Sequence, residues 1–227
     1  MRFFDRLVPA LSIFGALLVL CGVAYIGFIA IDAGNDFMAL KSPTAAMEPT
    51  ILTGDDFSAQ RLPRGGPPSG GAAVARGDVV VHEFPPDPSK RFVKRVVGLP
   101  GDTLAMRRGV LFVNGRAPAE SYAWHAEPVG ADSADSASAG DFEWQREFLT
   151  AGVASSPFRP TRNEWGPIVV PPDHYFVLGD NRDNSLDSRY WGFVSGAQVV
   201  ARARRVYFSQ DPATGRIRWS RFGHRLQ

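Results

Sequence analysis

The chain has 227 residues, a formal net charge of +2 and a sequence pI near 8.9. That length holds one membrane anchor and one sizeable domain, or at most two small domains, and the charge is too balanced to argue nucleic-acid binding. The single cysteine, Cys21, lies in an apolar run, which excludes an internal disulfide framework and a thiolate metal site from the polar remainder.

Residues 7–31 are apolar or small and carry no charge. About 25 residues at roughly 1.5 Å each can cross the ~30 Å hydrocarbon core, so a retained transmembrane helix is expected rather than a cleaved leader. Arg2 and Arg6 precede this run, and Asp32 and Asp36 follow it. The positive-inside bias therefore places residues 1–6 in the cytoplasm and the remainder on the exported side. Residues 32–41 read as a juxtamembrane linker, and 42–227 as the exported domain.

Ser42 to Thr50 opens that domain. Pro43 and Pro49 each bias the preceding residue away from helix, so a nine-residue extended segment is expected. Ile51 to Phe57 reads as a strand with a Gly-Asp turn, and Arg61 to Arg76 as a Gly- and Pro-rich surface loop. Val79 to Phe84 reads as a strand stopped by Pro85-Pro86-Asp87-Pro88, and Arg91 to Val97 as another. Val110 to Arg116 reads as half a hairpin with an Asn-Gly turn. From about 117 to 163 the pattern dissolves, and the low-complexity run Ala131 to Gly140 predicts a mobile insertion there. Strands resume at Ile168 to Val170, Tyr175 to Leu178, Val199 to Phe208 and, weakly, Ile217 to Trp219. Short strands with Gly, Pro and Asp punctuation predict a mainly β sandwich or barrel-like domain.

Two segments carry chemistry. In Arg91 to Val97, strand alternation groups Lys94 with Phe92 and Val96, and sets Arg91 and Arg95 on the opposite face. A lysine buried among apolar neighbours loses stability in its charged form and can serve as a base near neutral pH. The other reading is an ordinary surface lysine on an edge strand. The second segment, Gly179 to Gly192, is dense in Asp, Asn and Arg, as in a rigid capped loop. Within it Ser185 offers a hydroxyl that could orient a neutral lysine. No Gly-x-Ser-x-Gly elbow accompanies the four histidines, and no two of them have ligand spacing, so neither a Ser/His/Asp site nor a metal site is expected.

Four segments in this order resemble the bacterial type I signal peptidases, the membrane-anchored Ser/Lys proteases. Met47-Glu48-Pro49-Thr50 resembles the family's nucleophile box, and Gly54-Asp55 with Gly77-Asp78-Val79-Val80 its following strands. Lys94 to Asp102 resembles the lysine box, and Gly179 to Val194 the last box. The resemblance implies an antiparallel β domain on a single N-terminal transmembrane helix, held at the bacterial inner membrane. It implies removal of signal peptides from exported preproteins, with the lipid bilayer as the other partner and no cofactor.

Carried over residue by residue, Lys94 is the general base, and Ser185 orients it. Asp187 and Arg189 form a supporting ion pair, and Thr44 assists the oxyanion hole with the backbone N–H of residue 46. The family's nucleophilic serine stands immediately before the Met of its box, and here that residue is Ala46. A methyl group cannot attack a carbonyl. Three explanations stand: an engineered replacement, a native homologue that binds signal peptides without cleaving them, or use of another hydroxyl. Thr44, two residues away, is displaced by about 6–7 Å if the segment is extended.

Overall fold

The computed structural model describes residues 37–63, 74–125, 139–150 and 158–226. The chain divides into units Met1–Phe37 and Met38–Gln227, and the second holds every element below except the first residue of β1. The helix expected at 7–31 lies outside the described residues, and among those described no helix is long and apolar enough to cross a membrane.

Among the described residues, ten strands form two sheets. They are β1 (Phe37–Lys41), β2 (Asp55–Arg61), β3 (Val79–Phe84), β4 (Asp87–Gly98), β5 (Thr103–Arg107), β6 (Val110–Val113), β7 (Trp165–Val169), β8 (His174–Leu178), β9 (Val194–Ser195) and β10 (Val199–Ser209). The larger sheet has seven strands in the order β1-β2-β10-β3-β4-β8-β9, and the smaller has three in the order β6-β5-β7. All registered pairs are antiparallel. The mainly β expectation therefore holds.

Alternation explains how the strands bury. Along β2, Asp55, Phe57 and Ala59 are buried while the residues between them are half-exposed. Phe57 and Ala59 join Met47, Ile51, Val79, Val81 and Val206 in one core cluster. A second cluster packs the small sheet against β8 through Leu104, Met106, Trp165, Ile168 and Phe176. A third holds Val80, Val96, Val177 and Val199 together. Each such side chain contributes about 1.5–3 kcal/mol of hydrophobic stabilisation. β4 is covered on both faces at its end, where Lys94 through Gly98 are all buried.

Several expectations need correction. Phe37–Lys41, read as linker, is the edge strand β1, with Met38 buried in the first cluster. Ser42 to Thr50 is not extended throughout, because Ala45–Met47 forms a single 3-10 turn closed by the Glu48 N–H on the Ala45 carbonyl at 3.0 Å. Ile51 to Gly54 is a turn rather than a strand. The Asp55 carboxylate accepts from the Leu52 N–H at 2.9 Å, and Gly54 takes φ +89° against the Gln210 carbonyl. Pro85 and Pro86 make only the turn of a β3–β4 hairpin, and Pro88 lies within β4.

β5 was not foreseen. It turns into β6 through Arg108 and Gly109, both at positive φ, as a tight hairpin requires. Asn114-Gly115 does turn the chain, but it ends in a single bridge from Val113 to Arg116. Ile217 makes one bridge to Gln210, and Trp219–Arg221 is a 3-10 turn. The run 126–138 lies outside the described residues, yet the described parts of the expected insertion pack on the domain. Trp124 bridges Asn181, Phe142 is buried against Tyr190, and Leu149 bridges Ile168.

Candidate active site

Lys94 sits near the end of β4, opposite Val80 of β3, with 5% of its surface exposed. The surface-lysine reading is thereby excluded. Burial pulls its titration down to about 8, with Arg189 acting in the same direction and the charges of Asp187 and Asp180 opposing. Its Nζ stands 5.5 Å from the Phe92 ring centroid and has no hydrogen-bond partner among the described residues.

A cavity of about 370 Å³ opens over this lysine. Thr44, Ala46 and Lys94 all line it, together with Leu40 of β1, Val93 of β4 and Leu186. The structure thus brings the expected base, the expected nucleophile position and the expected oxyanion hydroxyl to one space. Thr44 is exposed and extended at φ −132°, ψ 159°, immediately before the 3-10 turn that carries Ala46. No histidine lines the cavity.

Position 46 is held from the segment after β8. The Asn181 N–H donates to the Ala46 carbonyl at 3.2 Å, and Asn181 Nδ2 to the Ala45 carbonyl at 3.2 Å. On its other side the Glu48 carboxylate accepts from the Thr53 N–H and hydroxyl at 3.0 and 2.9 Å, while Met47 is buried. Gly179 explains how Ser185 comes so near. A Cβ at Gly179 would lie 2.2 Å from Ser185 Oγ and 2.5 Å from the Ala46 carbonyl, so only a glycine admits both groups. Ser185 Oγ is buried and has no hydrogen-bond partner among the described residues, Lys94 included.

Asp187 and Arg189 form the expected ion pair, and both are fully buried. Arg189 donates through Nε to Asp187 Oδ1 at 2.8 Å and through Nη2 to Oδ2 at 2.9 Å. Asp187 also accepts from the Gly179 N–H at 3.0 Å, which fixes the glycine under the site. Burial alone would raise the Asp187 carboxyl; the Arg189 guanidinium outweighs it and holds the group below its ordinary range. Arg189 in turn is driven up by Asp187, against its own burial.

Arg95, on the face of β4 opposite Lys94, is also buried. It is 1% exposed and paired with Asp180, through Nε to Oδ1 and Nη2 to Oδ2, both at 2.7 Å. It also donates to the Gly77 carbonyl at 2.7 Å and to Thr50 Oγ1 at 3.1 Å, and its guanidinium lies 3.9 Å over the Tyr122 ring. One side chain therefore braces β4, the turn before β3, the nucleophile loop and the first part of the insertion. Beside it Arg182 pairs with Glu120 at 2.7 Å and donates to the Gly179 carbonyl at 3.1 Å. Burial of Tyr122 raises its hydroxyl to about 12, so it stays neutral.

Chemically, the arrangement supplies a bare amine base, a preorganised turn beside it and an exposed hydroxyl at the turn's start. Comparison with known proteins places the chain in a family. The family described as signal peptidase, peptidase S26, matches residues 12–208. The chain is similar to signal peptidase I of Pseudomonas fluorescens, 34% identical over 196 residues that cover 74% of this chain and 63% of the relative. The corresponding values for signal peptidase I of Pseudomonas aeruginosa are 32% over 210 residues, covering 80% and 69%. For the probable signal peptidase I-2 of Synechocystis they are 33% over 168 residues, covering 71% and 58%. Two of these three relatives are thus spanned for less than two thirds of their length. A solved signal peptidase I from Enterococcus faecalis aligns at 29% identity and a TM-score of 0.36, covering 56% of this chain and 94% of that one.

Proposed function

The chain belongs to the signal peptidase S26 family, and from that premise we propose that its cavity is a signal-peptide-cleaving site of the Ser/Lys type whose nucleophile position is filled by alanine. One observation carries the reading: a buried lysine with a titration near 8 and no hydrogen-bond partner lines the same cavity as Ala46. With a serine at that position, Lys94 takes the hydroxyl proton and the alkoxide attacks the scissile carbonyl. Ser185 orients the amine, and Asp187 with Arg189 holds the loop that carries it. Thr44 and the N–H of residue 46 receive the oxyanion. As the intermediate collapses, the C–N bond breaks and the leaving amine takes the proton from Lys94; water then hydrolyses the acyl-enzyme with the neutral Lys94 again as base.

The substrate is an extended stretch of an exported preprotein, bound in the cavity that Leu40 of β1 and Val93 of β4 both line. Residues 7–31 span the bacterial inner membrane with the amino terminus in the cytoplasm. A preprotein held in the same bilayer reaches the site at high effective concentration, which offsets weak individual contacts.

With Ala46 the same groove binds a signal peptide and leaves it intact. In a preprotein-cleavage assay in liposomes the chain as it stands is expected to be inactive. Ala46→Ser is expected to raise cleavage on the order of 10³-fold or more, the scale at which a missing nucleophile is felt. Lys94→Ala in that background removes the gain. Full cleavage by the Ala46 chain, lost on Lys94→Ala, would point to a different hydroxyl and sink the scheme.

A further inference from the structure

Behind Lys94 lies a second buried basic side chain that this scheme does not use. His82 of β3 is fully buried. The β3–β4 register sets Val80 opposite Lys94 and His82 opposite Phe92. Alternation therefore puts His82 on the same sheet face as Lys94, one diagonal step away. Phe92 connects them: its ring centroid is 5.5 Å from Lys94 Nζ and 6.3 Å from the imidazole centroid. Trp191 closes the far side, 6.0 Å from His82 and 5.6 Å from Phe92.

The protonation of this imidazole follows from its one hydrogen bond. His82 Nδ1 lies 2.8 Å from the Glu83 carbonyl, which can only accept, so Nδ1 carries the hydrogen. Nε2 is left as a bare lone pair, buried and without a partner. Burial first, and then the Lys94 charge, bring the imidazole down to about 4 against the pull of the Glu83 carbonyl. It is therefore neutral wherever the protein works. The charges facing Lys94 are Asp180, Asp187 and Arg189, all from the segment after β8, and β3 contributes only this neutral ring. The Glu83 side chain, one residue on, belongs to the opposite face.

We propose that His82 is a positioning residue for Lys94, its Nε2 lone pair accepting a hydrogen bond from the ammonium that forms when Lys94 takes the nucleophile's proton. The proton stays on Nζ. His82 lends an acceptor, steadies the amine's orientation toward position 46 and stabilises the charged form that Asp187 and Asp180 also favour. The inference rests on Lys94 as the base. A rival donor exists in the Trp191 Nε1–H, which is likewise buried without a partner.

The test needs no cleavage. In the full Ala46 chain in detergent micelles, the lysine Cε chemical shift is followed against pH in the parent, His82→Phe and His82→Gln. Removing the acceptor is expected to lower the Lys94 midpoint by about half to one pH unit, while the Gln amide oxygen holds it near the parent value. His82→Leu replaces His82→Phe should the larger ring prevent folding. An unmoved midpoint in a folded acceptor-free variant overturns the proposal and assigns His82 to Trp191. An ordinary lysine midpoint in the parent overturns the base reading itself, which is a different outcome. In the Ala46→Ser background, His82→Phe is expected to lower kcat about tenfold with KM unchanged and to move the acid limb down by the same shift. A change in KM alone counts against it.

Discussion

Lys94 and Arg95 are neighbours in β4, almost equally buried at 5% and 1%, and the domain treats them in opposite ways. The arginine's Nε, Nη1 and Nη2 all find oxygens, on Asp180, the Gly77 carbonyl and Thr50, and its plane rests on Tyr122. The lysine has an aromatic ring beside it and charges near it, but no partner on its nitrogen. A guanidinium cannot be neutralised by burial, so it must be paired, and once paired it serves as a brace. An amine can give up its proton, and leaving it bare is how burial turns a cation into a base. The same burial thus makes one residue structural and its neighbour chemical. The contrast also explains why the scaffold of the proposed site is complete with alanine at position 46: the bracing does not depend on that residue.

Stability measurements can break that comparison. Arg95→Met strands Asp180 as an unpaired buried carboxylate, for which a loss of about 3–5 kcal/mol is expected on chemical denaturation. Lys94→Met removes a bare amine and fills the space with an apolar chain of similar length, so stability at neutral pH should stay level or rise. Equal losses for the two variants would end the distinction between brace and base.

The pH dependence sharpens it further. Lys94 titrates near 8 when folded and near 10.5 when exposed. Between those values the unfolded chain holds a proton that the native chain has lost, so stability rises with pH across that window. Below about 8 both states are protonated and the burial cost is carried in full. The window corresponds to about 3 kcal/mol. Denaturation midpoints measured from pH 7 to 10.5 should climb in the parent and lose that climb in Lys94→Met. A flat parent profile would mean that the amine is solvated.

How much of this was legible in the sequence depended on what each feature answers to. β3, β8 and β10 carry β-branched and aromatic runs and announce themselves. β1 (Phe37–Lys41) and β5 (Thr103–Arg107) hold a single β-branched residue between them, Thr103, and are strands because a neighbouring sheet edge pairs with them. The burial of Lys94 could not be settled by period-2 alternation, because β4 is covered on both faces from Lys94 to Gly98. For the same reason alternation set Arg95 on the face opposite Lys94 without showing that this face is buried too; its partner Asp180 is 85 positions away. The insertion's anchors, Glu120, Trp124 and Phe142, were lost in a segment whose composition reads as unstructured. Ser185 stands out as a hydroxyl in a polar loop and the resemblance gives it a role, whereas the alanine at 46 is plain from the letters alone.

Gly179 offers the finest test, since it acts on geometry and leaves every charge in place. An added Cβ meets Ser185 Oγ at 2.2 Å, Ser185 Cβ at 2.4 Å and the Ala46 carbonyl at 2.5 Å. Two of these contacts cannot be relieved by a rotamer change: Ser185 Cβ moves only with its own backbone, and the Ala46 carbonyl is tied to the Asn181 N–H at 3.2 Å. Gly179→Ala should therefore cost about 1–3 kcal/mol, as overpacking does. It should also push the 3-10 turn and the Ser185 loop apart without touching the Arg95–Asp180 pair. In the Ala46→Ser background the expected signature is a fall in kcat larger than the stability loss alone explains at a temperature where the variant is folded. If kcat is unchanged in a destabilised but folded Gly179→Ala chain, then the close approach of Ser185 to position 46 is packing, and the orientation of Lys94 rests on other groups.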